Sequence, residues 1–281
     1  MGVGYSCVDM ICMVEDFPVE DSSTHITSRV VQGGGAVATA LVAASRLGTK
    51  CAFIGNIGND IMSDETIRMF QSDGVCTDYM VRRDDCYGLE SIVMVNPANG
   101  SRTKFPQRDY NPPISWDDRL SDVVGGCCIL HLDGTHYENA INAARIAKEH
   151  GVLVSLDGCS MQKDNEKNKI LATMADILIM NSKYPLKVSG KATYDEALLE
   201  MSTWGSKKVV GCTLGDKGSK FVVGGRVVDF PSFKAKSVVD TTGCGDVFHG
   251  AFLSAYVSGM ALEKCIRFAS ATACCKCAVP G

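Results

Sequence analysis

The sequence predicts an α/β protein with a doubly wound, mostly parallel sheet flanked by helices. Two observations lead to this prediction. Short apolar runs alternate along the chain with helical patterns, and the apolar runs are typical of strands that are buried on both faces. Buried strands are predicted at residues 51–55, 128–132, 152–157, 177–181 and 209–213. Helices are predicted between them at residues 36–47, 63–73, 138–150, 167–175 and 193–204.

Two regions interrupt this alternation with hairpin-like patterns. They pair residues 10–15 with 24–32 and residues 89–96 with 101–105, and the second pair is joined by the turn signal Pro97-Ala98-Asn99-Gly100. Four such strands predict a small separate sheet. We therefore expect a single domain over residues 1–281, with the strands of the small sheet inserted at about 10–32 and 87–108.

The composition excludes several classes of protein. The chain has 281 residues, 46% of them hydrophobic and 21% charged, with a formal net charge of −4. These values are ordinary for a soluble globular protein, and the mild negative charge argues against a nucleic-acid partner. No apolar run is long enough for a membrane span, and the first residues do not resemble a signal peptide. We expect a cytoplasmic protein without a membrane partner.

The chain is rich in cysteine, with 14 residues of this type. A long chain of cytosolic character is not expected to form a disulfide scaffold. Neither Cys127-Cys128 nor Cys274-Cys275-x-Cys277 has the Cys-x₂-Cys pairs of a zinc site. Both lie in apolar contexts, so we expect buried thiols that pack as small hydrophobic side chains.

The most informative segment is Asp-Thr-Thr-Gly-Cys-Gly-Asp, which ends at Asp246 and runs into an apolar helix. A Gly243-Cys244-Gly245 turn at a helix start directs several backbone N–H groups to one place, and that place favours an anion. Asp246 lies at the same place. A carboxylate there is suited to take a proton from a hydroxyl that attacks a bound phosphoryl group.

Other interpretations of this turn exist. A dinucleotide-binding fingerprint needs a third glycine where Phe248 stands, and a Walker P-loop needs a Gly-Lys-Ser/Thr sequence that the chain lacks. A tight turn in which Asp246 only caps the helix is the simplest alternative.

The segment closely resembles the second signature of the PfkB (ribokinase-like) carbohydrate kinase family, Asp-Thr-x-Gly-Ala-Gly-Asp, with Cys244 in place of the usual alanine. The resemblance implies an ATP- and Mg²⁺-dependent kinase that phosphorylates a primary hydroxyl of a sugar, such as a ketose or a sugar acid. Asp246 would be the base, and the N–H groups of Gly243, Cys244, Gly245 and Asp246 would stabilise the transferring group. The small sheet would be a lid over the sugar, and it would often form the contact of a homodimer.

Gly33-Gly34-Gly35 opens a small-residue helix and, with residues 53–60, resembles the first signature of the family. By itself the segment is also compatible with a glycine cap on a packing helix. The resemblance implies that Gly34 and Gly35 hold the sugar. The triple glycine and residues 267–271 are nearer to ketohexokinase-like and sulfofructose-kinase-like members.

Two departures affect the sugar side. Thr39 stands where many relatives have a sugar-binding asparagine, and Ala36 stands where ribokinases often have lysine. Asp9 is expected at the end of the first strand, where its carboxylate can accept bonds from two hydroxyls. The resemblance assigns it to the sugar.

Three basic residues, Arg102, Lys104 and Arg108, are predicted on or just after the lid. A solvated face is the simpler interpretation. If the side chains face inward, the substrate carries an anionic group; we place Arg108 among the candidate substrate contacts.

The nucleotide side follows from the resemblance alone. Thr213, Gly215 and Gly218 match a Thr-x-Gly-x-x-Gly segment that lines the ATP phosphates and ribose, and Asn181 matches the Asn of an Asn-x-x-Glu motif with Tyr184 at the Glu position. By the same resemblance, Ala271 and Cys274 would lie beside adenine. Asp240 and Thr242 would flank a site that binds a monovalent cation (K⁺) in some relatives.

Two alternatives remain at the level of the sequence. One is a nucleoside or vitamin kinase on the same scaffold, and the other is a non-catalytic sugar- or nucleotide-binding protein. The intact Asp246 and glycine turn favour an enzyme, because a binding protein has no need of a base.

Overall fold

The computed structural model describes residues 1–96 and 102–279, so the turn predicted at Pro97-Ala98-Asn99-Gly100 lies outside the described residues. The strands are β1 (Gly2–Val3), β2 (Cys7–Val14), β3 (Ile26–Gly34), β4 (Cys51–Ile57), β5 (Val75–Arg82), β6 (Glu90–Val95), β7 (Arg102–Pro106), β8 (Ile129–Leu132), β9 (Leu153–Gly158), β10 (Ile177–Met180), β11 (Val209–Thr213), β12 (Ser219–Val223) and β13 (Arg226–Phe230). The helices are α1 (Ala36–Arg46), α2 (Ile61–Ser72), α3 (Asp118–Gly125), α4 (Tyr137–Glu149), α5 (Asn165–Met174), α6 (Tyr184–Ser189), α7 (Tyr194–Met201), α8 (Cys244–Val257) and α9 (Leu262–Lys276).

The main sheet has nine strands in the order β13-β12-β11-β10-β9-β8-β1-β4-β5. The strands from β11 to β5 are parallel to their neighbours, and β12 and β13 extend one edge as an antiparallel hairpin. From β1 the chain moves first to β4 and β5 on one side and later to β8 on the other. Open sheets of this kind bind ligands outside the carboxyl end of the strand where the order reverses, which here is β1.

Helices cover both faces of the main sheet. Within β10, Leu178 and Met180 pack into the core beneath α3 to α7, while Ile177 and Ile179 pack beneath α8 and α9. A strand buried on both faces needs apolar side chains at consecutive positions, which explains the uninterrupted apolar runs. The doubly wound α/β prediction is therefore confirmed. None of the helices in the described residues is long and apolar enough to cross a membrane.

A second sheet of four strands, which we call the lid sheet, has the order β3-β2-β6-β7. Strand β2 is antiparallel to β3 and parallel to β6, and β6 is antiparallel to β7. The small separate sheet was predicted, and it is confirmed. The parallel pairing of β2 with β6 was not predicted, and it joins the two hairpins into one surface.

The predicted position of Asp9 at the end of the first strand is wrong. Strand β1 ends at Val3, and Asp9 is the third residue of β2 in the lid sheet, where it lies opposite Gln32. The apolar run that follows Gly4 does not continue the main sheet, because it leaves β1 and pairs with β3. Likewise Gly33 and Gly34 end β3, and only Gly35 is the N-cap of α1.

Helices α1 and α8 cross at close range. A Cβ atom on Gly250 would lie 2.1 Å from the backbone oxygen of Ala40 and 2.8 Å from Cβ of Ala43. Glycine at this position lets the two backbones approach, and this approach brings the N-termini of α1 and α8 to one place.

The cysteines only partly follow the sequence expectation. All fourteen are free thiols. Six are buried, namely Cys7, Cys12, Cys51, Cys86, Cys212 and Cys265, but Cys128 and Cys275 are exposed. The expected burial is wrong for these two, because Cys128 lies in the loop before β8 and Cys275 lies on the side of α9 away from the core.

Candidate active site

A cavity of about 640 Å³ lies between the lid sheet and the N-termini of α1 and α8. The residues after β1 line its floor, which is the position expected for a ligand site in this topology. The volume is in the range of sites for small molecules. The lining includes Asp9, Gly34, Ser91 and Lys104 from the lid sheet, and Gly35, Thr39, Thr242, Gly243 and Asp246 from the opposite wall.

The N-terminus of α8 forms one end of the cavity. Gly243 is its N-cap in the left-handed conformation, with φ 73°. Within the described residues, the backbone N–H groups of Gly243, Gly245 and Asp246 donate to no protein acceptor, and a Cβ on Gly245 would point into open space. These donors and the helix dipole favour an anion. The N–H of Cys244 does not belong to this set, because it donates to the backbone oxygen of Thr241 at 3.3 Å.

Asp246 lies in the first turn of α8 and faces the cavity. The pKa of Asp246 is raised to about 7, mainly by burial and secondly by the negative charge of Asp157. His249 and Lys104 lower this pKa. A carboxyl group that changes charge near neutral pH is well suited to accept a proton from a substrate hydroxyl.

Sequence reasoning missed the pair directly behind Asp246. His249 follows Asp246 by one helical turn, and its Nε2 lies 3.2 Å from Oδ1 of Asp157 at the end of β9. Both side chains are almost fully buried, with exposed fractions of 5% and 4%. The spacing of three residues between Asp246 and His249 was a usable signal, since it places both on one side of a helix.

Asp9 is held beside the glycines that end β3. The thiol of Cys7 donates to Oδ1 of Asp9 at 3.4 Å. A Cβ on Gly34 would lie 2.3 Å from Oδ2 of Asp9, and a Cβ on Gly35, which has φ 109°, would lie 2.2 Å from the backbone oxygen of Tyr5. Neither position accepts a side chain without movement of Asp9 or of the backbone, so the two glycines keep the carboxylate open to the cavity.

Thr39 connects this wall to α8. It lies on α1 and lines the cavity, and its methyl carbon would be 3.5 Å from a Cβ placed on Gly243. The predicted sugar-side residues Asp9, Gly34, Gly35 and Thr39 are thus brought together with the α8 turn.

The three lid cations occupy different environments. Arg102 donates to the carboxylate of Asp240 at 3.1 Å and to the hydroxyl of Thr242. Lys104 lines the cavity on the same face of the lid sheet as Asp9 and Ser91. Arg108 stands apart from the described cavity lining, and its guanidinium lies 5.4 Å from the centre of the Tyr110 ring.

Asp240 and Thr242 form a loop that is closed by two protein cations. The backbone N–H and the hydroxyl of Thr242 donate to Oδ1 of Asp240 at 2.8 and 2.7 Å. Besides Arg102, the ammonium group of Lys276 lies 3.5 Å from Oδ2 of Asp240 and 3.4 Å from its backbone oxygen. A carboxylate that already faces two cations is a poor site for a further K⁺ ion.

The nucleotide-side residues lie at the carboxyl ends of β10 and β11, which are adjacent parallel strands. Asn181 accepts from the N–H groups of Lys183 and Tyr184 at 2.9 and 3.0 Å. The hydroxyl of Thr213 donates to the backbone oxygen of Met180 at 3.5 Å. Tyr184, at the position where the family motif has Glu, is buried, and its hydroxyl donates to the backbone oxygen of Asn168 at 3.2 Å. Its side chain therefore packs in the hydrophobic core.

The remaining nucleotide-side residues flank these strands. Gly215 and Gly218 have φ 64° and 90° in the turn after β11, and Ala271 and Cys274 lie on α9. The thiol of Cys274 donates to the backbone oxygen of Phe233 at 3.5 Å. The cavity that holds Asp9 and Asp246 has a described lining that includes none of the six predicted nucleotide-side residues, Asn181, Thr213, Gly215, Gly218, Ala271 and Cys274.

Comparison with known proteins identifies the family. The sequence matches the pfkB family of carbohydrate kinases over residues 1–281. It is 26% identical over 280 residues to deoxyribokinase from Salmonella typhi, covering 95% of this chain and 90% of that protein. It is 24% identical over 286 residues to ketohexokinase from Mus musculus, covering 99% and 96%. The structure of Arabidopsis thaliana ribokinase complexed with ribose and ATP has a TM-score of 0.86 at 27% identity, covering 100% of this chain and 92% of that one.

The chain therefore belongs to the pfkB family of carbohydrate kinases, as its two signature segments predicted. It has the ribokinase-like fold, and it is a phosphotransferase with an alcohol group as acceptor. At this level of detail it is a sugar or nucleoside kinase.

Proposed function

We propose that the protein transfers the γ-phosphoryl group of ATP to a primary hydroxyl of a sugar, either a ketose such as fructose or a related sugar or sugar acid. One observation carries the proposal: Asp246, with a pKa near neutrality, lies in the same cavity as the Asp9 carboxylate and at the anion-binding end of α8. A diol held by Asp9 would present a hydroxyl between the base and the phosphoryl group.

In the proposed mechanism, Asp9 accepts hydrogen bonds from two sugar hydroxyls, and Gly34 and Gly35 allow the sugar to approach the backbone. Asp246 removes the proton from the attacking hydroxyl. The N–H groups of Gly243, Gly245 and Asp246 stabilise the negative charge of the transferring group. Catalysis then comes mainly from positioning and charge stabilisation.

MgATP is the second substrate in this proposal. The nucleotide would bind along the ends of β10 and β11 through Asn181 and Thr213, with Gly215 and Gly218 near the phosphates and Ala271 and Cys274 near adenine. Mg²⁺ usually enters such sites with the phosphates and retains water ligands. This agrees with the absence, among the described residues, of any cluster of three or more His, Cys, Asp or Glu side chains that could hold an ion.

Lys104 bears on the choice of sugar. It is a cation in the wall that also carries Asp9 and Ser91, so it favours a substrate with a carboxylate, sulfonate or phosphate over a neutral sugar. Arg108, which stacks near Tyr110, would contribute only if the lid changes its conformation. The assay should therefore compare fructose and ribose with sugar acids, sulfofructose and sugar phosphates, and it should include adenosine to test the nucleoside kinase alternative.

The role of Asp246 is tested with Asp246→Asn, which retains the shape of the side chain and removes the base. We expect kcat to fall by about 10²- to 10⁴-fold, while the Kd for ATP changes little. Loss of ATP binding together with turnover would indicate a structural role. Near-normal turnover would refute the assignment of Asp246 as the base.

We also propose a cytoplasmic homodimer formed through the lid sheet. The fourteen free thiols suit a reducing compartment. The lid face turned away from the cavity carries Met10, Ile92 and Phe105 in one cross-strand row, and Ile92 and Phe105 are 39% and 54% exposed. A second copy could cover this row. Ile92→Glu should convert a dimer into a monomer in light-scattering measurements, and a monomeric wild-type protein would contradict the proposal.

A further inference from the structure

His249 and Asp157 form a buried pair outside the cavity, and neither has a role in the mechanism above. On α8, His249 lies one turn beyond Asp246, so both side chains project from the same side of the helix. The imidazole then contacts β9, where its Nε2 lies 3.2 Å from Oδ1 of Asp157. Within the described residues Nδ1 of His249 is buried without a hydrogen-bond partner, so Asp157 supplies the polar contact of this ring.

Each member of the pair favours the charged form of the other. Burial alone would lower the pKa of His249, but Asp157 raises it above the usual value for histidine. In return, His249 holds the pKa of Asp157 below its usual value against the opposing effect of burial. A buried carboxylate is strongly unfavourable unless a partner charge offsets it, and His249 is that partner.

A second histidine packs against the pair and stays neutral. His131 on β8 has its ring centre 5.4 Å from that of His249, and its Nδ1 lies 3.1 Å from the hydroxyl of Ser155. Burial and the neighbouring His249 lower the pKa of His131 to about 3. His131 therefore contributes shape to this cluster but no charge at neutral pH.

Three other groups act on the same region. Asp133, after β8, is buried, and burial raises its pKa. Cys159, after β9, is kept as a neutral thiol because burial and Asp157 raise its pKa. Lys104 approaches from the lid sheet and favours the ionised form of Asp246. Of the groups that act on Asp246 from the main sheet, Asp157 carries the charge that most opposes ionisation.

We propose that His249 is a positioning residue of the phosphotransfer reaction: it offsets the charge of Asp157 and so keeps the catalytic base ionised during turnover. The inference rests on the proposed role of Asp246 as base. It explains why the buried side of α8, which is otherwise apolar, carries a histidine. Without His249, Asp246 would face the uncompensated carboxylate of Asp157.

The test is a set of charge-removing substitutions, read as the pH dependence of kcat/KM. In His249→Gln the acidic limb should move to higher pH by about 1 unit, which is about a ten-fold loss of kcat/KM on that limb. In Asp157→Asn the limb should stay or move to lower pH, because the repulsive charge is gone. The double variant should return towards wild type. His131→Gln is the matched control: it changes an equally buried but neutral ring, and the limb should not move.

Two outcomes would overturn the proposal. One is an acidic limb that does not move in His249→Gln. The other is a double variant with the same limb as His249→Gln, because His249 would then act through packing alone.

A second measurement does not require turnover. NMR titration of ¹⁵N-histidine-labelled wild-type protein should show a pKa of His249 above the usual value for histidine and a neutral His131 at pH 7, with the His249 signal assigned by its loss in His249→Gln. In Asp157→Asn the pKa of His249 should fall. A neutral His249 in the wild type would refute the ion pair even if the protein proves inactive on every sugar tested. Conversely, a charged His249 in an inactive protein would contradict the kinase proposal alone.

Discussion

Gly34→Ala tests whether the glycines at the end of β3 serve the Asp9 carboxylate. The added Cβ would lie 2.3 Å from Oδ2 of Asp9, 2.7 Å from its Cγ and 3.0 Å from Sγ of Cys7. Because ordinary contacts begin near 3.4 Å, the carboxylate must move by about 1 Å. The Asp9 side chain can rotate to make this move, so we expect the protein to fold with its sugar ligand displaced.

The expected effect is large and specific to the sugar. A displacement of about 1 Å in a positioning group lowers catalytic efficiency by about 10²-fold. We therefore expect kcat/KM for the sugar to fall by about this factor, mainly through KM, while KM for ATP changes little. The assay is steady-state phosphorylation with the best substrate of the panel at saturating ATP, with Tm measured on the same samples.

Gly33→Ala is the control for this experiment. It alters the neighbouring residue of the same strand, where the nearest atom to an added Cβ is Sδ of Met69 at 3.8 Å. This variant should behave as wild type. If Gly34→Ala is folded and its kcat/KM for the sugar matches that of Gly33→Ala, Asp9 does not hold the sugar.

Three further predictions concern the α8 end of the site. Because the pKa of Asp246 is about 7 and the base must be ionised, kcat/KM should rise about ten-fold between pH 6 and pH 8; a flat profile would contradict this. Because Lys276 already lies 3.5 Å from Oδ2 of Asp240, turnover should be the same in K⁺ and in Na⁺ buffers, and strong activation by K⁺ would show that the loop binds the ion after all. Gly250→Ala should lower the free energy of unfolding in urea by about 3 kcal/mol, because its Cβ would overlap the backbone oxygen of Ala40; an unchanged midpoint would mean that the helices separate easily.

Much of the main sheet was predictable because its strands are buried on both faces and their apolar runs are local signals. The β12–β13 hairpin was missed, although its two-residue connection, Gly224-Gly225, has φ 57° and 75° and is typical of a tight hairpin turn. The short β1 was missed for a different reason. Two residues carry no periodic pattern, and β1 exists because β4 and β8 supply partners on both sides.

In the candidate site, too, features with a local sequence signal were predictable and features that depend on distant partners were not. The Gly243-to-Asp246 turn is contiguous, so the sequence alone was enough to predict the anion site and to propose Asp246 as the base. The paired roles of Asp9 with Gly34 and of Arg102 with Asp240 depend on strands and loops far apart in the chain. Arg108 was predicted near the substrate because it follows β7, but its stacking on Tyr110 depends on the path of the loop, which no local pattern predicts.

The sequence by itself determined the family and the α/β architecture, and it placed Asp246 beside the glycine turn, since each depends on residues that are neighbours along the chain or recur with a fixed period. The tertiary structure decided the surroundings of this proposed base. Only folding brings Asp157 on β9 against His249 on α8, and Lys104 on the lid into the cavity with Asp246. The reason is electrostatic: a carboxyl group takes its pKa from burial and from charges in space, and neither is encoded in the residues beside it.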